Sequence, residues 1–196
     1  MRLAPVLVVP PAVPLFTAEE AVARLHLNVS SDDDNALIDH YIEAATSHLD
    51  GYAGTLGRAL ITQTWRIDAR NWGCPFIRLP LSPVQSVTVA YFDGSNVEQT
   101  LAADQYELLT DFAGPRIGRT SVGTWPTVYS RSDAVRVTFV AGYGAAPADV
   151  PASIRQSVLM MVAHWYANRE AVAPGQMSVM PIGVDEMLEP YRNRRI

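Results

Sequence analysis

Asp32-Asp33-Asp34 places three carboxylates in a row, the kind of cluster that could hold a divalent cation. A calcium loop, however, spreads its oxygen ligands over a defined frame with a glycine and a terminal acid, and no such frame follows. Acids that open a helix instead offset the partial positive charge of its first turn, worth about 0.3–1 kcal/mol. His40, Glu43 and His48 lie on the helix those acids begin. A zinc pair of the HExxH type needs histidines four residues apart, whereas His48 is eight beyond His40, about 80° around the helix and two turns away. Gly142-Tyr143-Gly144 after a strand suggests a phosphate loop, but Pro147 stands where the third glycine belongs and no helix opens directly behind it. Those glycines read as turn residues at a strand end. Ser121 in GRTSVG is one residue out of step with a G-x-S-x-G elbow. Cys74, between Gly73 and Pro75, has no activating histidine beside it. His26 and His164 have no acid nearby in the sequence. No catalytic residue, metal ligand or cofactor is therefore expected.

The aromatic and apolar residues are more telling. Trp65 and Trp165 fall in regular segments and read as core, whereas Trp72 and Trp125 fall in loop-like stretches and read as contact residues. The tail from Ala171 to Ile196 carries Met177, Met180, Ile182, Val184, Met187, Leu188 and Tyr191, followed by Arg192. It is too apolar for a free solvated end, and methionines suit an adaptable contact. Trp72, Trp125, Met177, Met180, Ile182, Leu188, Tyr191 and Arg192 are thus the candidate protein-interface residues. The tail is expected to order against another subunit or partner.

The elements that would position these residues can be read in order. Residues 1–16 hold Pro5, Pro10, Pro11 and Pro14 and suggest an extended arm lying on a neighbour. Thr17 with Glu20 forms a capping box for a helix over 17–27. A second helix over 32–51 carries a stripe of Leu37, Tyr41, Ala45, Leu49 and Tyr52, widened by Ile38 and Ile42, and Gly51 and Gly54 end it. From 58 to 145 the pattern changes to short strands with period-two alternation, clearest in Val135, Val137 and Phe139. Asp93-Gly94 marks a hairpin. Pro151 then opens an apolar helix over 152–168. Helices kept apart from strands argue an α+β fold with an antiparallel β insertion, a small sandwich or barrel, between the second and last of about three bundled helices. One body is expected over 17–170, flanked by the arm and a 171–196 tail.

Composition sets outer bounds. The chain has 196 residues, is 48% hydrophobic and 18% charged, and carries a net charge of −5, which suits one domain but not a general DNA-binding protein. A local basic patch is limited to Arg192, Arg194 and Arg195. One cysteine excludes an intrachain disulfide and fits a reducing compartment. The prolines of the first sixteen residues argue against a signal peptide. No stretch approaches the roughly 18 unbroken apolar residues of a membrane span.

Taken in order, FTAEEAVARLHL (16–27), DDDNALIDHYIEAATSHLDGYAGTLGRALITQTW (32–65), RLPLSPVQSVTVAYFDG (78–94), VTFVAGYG (137–144), VPASIRQSVLMMVAHWYANRE (150–170) and EPYR (189–192) resemble the head–tail connector, or head-completion, family of phages, prophages and gene transfer agents. The resemblance implies a structural virion protein and carries no catalytic residues. It implies a homo-oligomeric ring, twelvefold in the particle, between the portal protein and a tail-proximal stopper. Such a ring lengthens the channel through which double-stranded DNA passes and provides the surface for tail attachment. It also implies a place at the head–tail junction of the virion and assembly in the host cytoplasm, with no membrane contact. A weakly acidic channel wall would let phosphate slide past. The competing readings are a stopper or tail-terminator protein, a small hydrolase, and a carbohydrate- or nucleic-acid-binding module.

Overall fold

Local signals set the two ends of the first helix, α1 (Ala18–Leu25). The Glu20 N–H donates to Thr17 Oγ1 at 3.3 Å and the Thr17 N–H donates to Glu20 Oε2 at 3.2 Å, closing the expected capping box. His26 stops the helix in the left-handed region at φ 50°. In the computed structural model, residues 4–28, 32–72, 76–168 and 183–193 are described. Cys74, Met177, Met180, Ile182, Arg194 and Arg195 lie outside them.

The second helix, α2 (Asp32–Leu49), buries Ile38, Ile42, Ala45 and Leu49. Of the expected stripe, Ala45, Leu49 and the widening Ile38 and Ile42 are buried, Tyr52 is exposed, and Leu37 and Tyr41 are not at its centre. Those two sit at its half-buried edge, where Tyr41 meets Trp165 edge-on at 6.1 Å. Trp165 belongs to α3 (Ala152–Ala167), which packs against α2 through Ile154, Val158, Leu159, Met161 and Val162. The buried Ser157 returns its hydroxyl to the Ser153 carbonyl at 2.8 Å, so its polarity costs little. A fourth helix, α4 (Val184–Leu188), lies on α3 with Val184 0% and Leu188 1% exposed. The expectation that the tail orders only against another molecule fails for this segment: two apolar residues four apart fill a hole in the chain's own helical core. Four helices, rather than three, surround that core among the described residues.

The strands form two antiparallel sheets. The larger has the order β1-β2-β8-β4-β5, with β1 Val6–Val9, β2 Gln63–Ala69, β4 Val84–Phe92, β5 Glu98–Thr100 and β8 Val135–Ala141. The smaller has the order β3-β7-β6, with β3 Phe76–Arg78, β6 Tyr106–Asp111 and β7 Gly114–Arg119. Period-two alternation decides which side chains go inward. Trp65 opposite Phe139, and Ile67 opposite Val137, join Val89, Ile77 and Ile117 in a second core between the sheets. The fold is thus α+β, and the insertion is a small sandwich. The arm is corrected at Val6–Val9, which pair with β2 of the same chain (Val6 opposite Arg66, Leu7 opposite Trp65) instead of reaching for a neighbour. An edge position tolerates the flanking prolines because their missing N–H groups fall outside the ladder. Among the described residues no helix is long and apolar enough to cross a membrane.

Candidate functional site

The polar clusters singled out by residue type are dispersed. Asp33 is exposed in the first turn of α2, and His40, Glu43 and His48 all face solvent. Ser121 is exposed in a loop. Among the described residues no group of three or more His, Cys, Asp or Glu side chains could hold a metal ion. Gly142 has φ 140°, and a Cβ there would lie 2.6 Å from the Thr62 nitrogen. The glycine lets the chain leaving β8 cross the strand entering β2, where the Tyr143 N–H donates to the Leu60 carbonyl. Asp50, just past α2, accepts from the Leu60 N–H at 2.7 Å and from Gln63 Nε2 at 3.0 Å. Burial pushes its carboxyl above the usual range despite those bonds.

Charge on the outer face of the large sheet is spent internally. Arg66 meets Asp68 at 3.2 Å, and Arg136 meets Asp133 at 3.0 Å and Glu98 at 3.2 Å. Arg131 chelates Asp133 and lies 3.7 Å over the Phe92 ring. The Arg131 hydrogen bonds pull the Asp133 carboxyl down to about 2, and Arg136 adds to the effect. With each of these guanidiniums facing a carboxylate, the face lacks the row of unopposed cations that gripping phosphate requires.

Trp72 and Trp125 are brought together. Their rings stack 4.6 Å apart at 8°, and Trp72 Nε1 donates to the Pro126 carbonyl at 2.7 Å. Tyr91 meets Trp72 at a tilt of 55°, with ring centroids 5.8 Å apart. The pair fastens the loop between β7 and β8 to the sandwich and leaves both rings half-exposed. Leu188 is inside the helical core. Tyr191 is half-buried beside it, its carbonyl accepting from Arg58 Nε. Arg192 bridges Asp185 at 2.5 Å and Glu189 at 3.5 Å. The Asn193 N–H donates to the Leu56 carbonyl at 2.9 Å, completing the attachment of this segment to the body.

Three surface features escaped the reading of the sequence. First, Phe112, at the tip of the β6–β7 hairpin, is 90% exposed. Its base is braced: Asp111 accepts from Arg78 at 2.9 Å, pairs with Arg116 at 3.0 Å and takes the Ala113 N–H at 2.9 Å. Both guanidiniums sit over the Phe76 ring, at 4.8 and 4.9 Å. The Arg78 hydrogen bond holds the Asp111 carboxyl below its ordinary value. Asp-Phe-Ala-Gly between two strands was the available signal. Second, a groove of about 740 Å³ runs between residues 11–17 and α2, floored by Leu15, Phe16, Ile42, Leu60 and Ile61. Third, β1 exposes Val6, Leu7, Val8 and Val9 at 42–52%. Among the described residues the unusual surface is apolar and suits protein contact.

That surface, on a body of two small sheets and a helical layer, belongs to a structural class. Residues 110–192 match the family model of phage gp6-like head-tail connector proteins. No curated protein sequence matches the chain. Among solved structures, 99% of the chain superposes on 97% of a chain from the neck of an empty gene transfer agent particle computed with C6 symmetry, at TM-score 0.77 and 26% identity. A chain from the virion of the native particle gives the same values. A chain from the native neck computed with C12 symmetry matches at TM-score 0.70 and 28% identity, with 97% of each chain covered. Residues 110–192 thus carry the pattern of the phage gp6-like head-tail connector family, and the chain shares its fold with neck chains of gene transfer agent particles, which together support a structural head–tail connector role.

Proposed function

We propose that this connector works as a ring-forming adaptor in the neck of a virus-like particle, between a portal and a tail-proximal stopper. The observation that carries the reading is the near full-length likeness to neck chains solved with C6 and C12 symmetry. A subunit of a closed ring presents two different surfaces, one to each neighbour, and closes the ring when the rotation per subunit fits. The apolar groove and the exposed aromatic tip supply such surfaces. The paired Trp72 and Trp125 give a further half-exposed aromatic patch, and Arg192, next to the half-buried Tyr191, borders a polar cleft. Met177, Met180 and Ile182 remain proposed contact residues toward the portal. The subunit acts by position and not by catalysis. The net charge of −5 and the mutually paired guanidiniums of the sheet face favour passage of DNA without sequence-specific binding.

The test is imaging of particles that carry this protein. Density for the chain should form a rotationally symmetric layer between capsid vertex and tail. Particles with complete, tail-bearing necks that lack the chain would overturn the proposal.

A further inference from the structure

We propose that the Phe112 hairpin tip of one copy seats in the groove between the N-terminal segment and α2 of the next copy. This pairing rests on the ring reading above and names its contact. A large aromatic 90% exposed, on a chain that buries Phe16, Phe92 and Phe139 and half-buries Phe76, is an anchor without a socket. Its presentation is rigid: the Asp111 carboxylate is gripped by Arg78 and Arg116, and Gly114 closes the turn at φ 108°. A preorganised knob loses little freedom on docking.

Two depressions are candidate sockets. The one beside the tip, about 520 Å³, is lined by Arg58, Asp111, Glu189 and Arg192, and an aromatic ring there would strip water from charged groups. The groove against α2 is larger and mainly apolar, and its wall at Val13, 40% exposed, continues toward the exposed β1 residues. Charge agrees as well. Arg78 and Arg116 flank Asp111 at the base of the tip, while Asp39 and Glu43 line the groove. No residue lines both the groove and the tip-side cleft, so tip and groove are distinct patches of the surface. A contact between distinct patches is head-to-tail, the geometry that closes rings, whereas tip against tip would stop at a dimer.

The experiment is thiol cross-linking in a Cys74→Ser background with a short bifunctional reagent. The expected result is that Phe112→Cys combined with Val13→Cys gives a ladder of dimer, trimer and higher bands, while either cysteine alone gives at most dimers. A double variant that forms higher oligomers by native mass measurement but yields no ladder overturns the pairing and leaves the ring reading intact. A chain that is monomeric both in concentrated solution and in particles overturns both. A second variant guards against misfolding: Phe112→Ser lies on the surface and should melt like the parent, yet raise the concentration needed for ring formation at least about tenfold. An unchanged assembly concentration for Phe112→Ser counts against the proposal.

Discussion

Leu188→Ala tests whether the segment after residue 182 belongs to the body or only borders it. Leu188 is 1% exposed and, with Val184 at 0%, supplies the apolar attachment of α4 to α3. Truncating a buried leucine to alanine costs about 2–5 kcal/mol, the spread reflecting how far the site can collapse. Here the site can relax, because a five-residue helix has almost no stability of its own and can detach. Detachment would leave Val184 unpaired with Leu188 and would also forfeit the Arg58–Tyr191 and Asn193–Leu56 hydrogen bonds. The two routes together place the expected loss near the middle of the range, about 3 kcal/mol, or roughly 6–12 °C in Tm for a chain of this size. Urea unfolding gives the first quantity, and hydrogen exchange at 184–193 separates local release from global loss. A change below about 0.5 kcal/mol, the level of an ordinary surface substitution, together with unaltered exchange, would refute the packing argument. Deleting the whole segment should then be worse than a simple loss of a contact arm, since the helical core would be opened.

Two further outcomes can be checked on the isolated protein. Asp133 has its carboxyl pulled down to about 2 by Arg131, so its contribution is present above the unfolded value of 3.8 and is lost as pH falls through the folded one. Asp133→Asn should lower stability at neutral pH and flatten the decline between pH 4 and 2, read by urea titrations at stepped pH; an unchanged acid limb would contradict this. Trp72→Ala removes a stacked ring and the bond to Pro126, and should cost about 3 kcal/mol. It should also abolish the near-ultraviolet dichroism of the Trp72–Trp125 pair; retention of that signal would sink the account.

Much of the fold was legible because its signals are local. The Thr17–Glu20 box, the period-two run at Val135–Ala141 and the apolar helix after Pro151 depend on neighbours in sequence, and each appears where expected. The α2 stripe was legible at Ala45 and Leu49, but adjacent apolar side chains left its centre undetermined near the start, and packing selected Ile38 and Ile42 over Leu37 and Tyr41. At β1, proline density hid four residues that are free of proline and able to pair. The tail misled for a similar reason: Val184 and Leu188 look like an exposed sticky end until the gap beside α3 is known. The apolar groove has no sequence signature, since it arises where residues 11–17 and α2 meet across the fold.

β1 also bears on how the protein limits unwanted strand addition at its own edge. A bare valine-rich edge is a template for runaway strand addition. Here Pro5 and Pro10 bracket the strand, and the pairing register slips between Leu7 and Val9. The prolines supply no N–H to an incoming chain, and the slip bends the ladder away from flatness. What remains open is a stub of four residues, long enough to grease a specific joint but too short and too crooked to nucleate stacking.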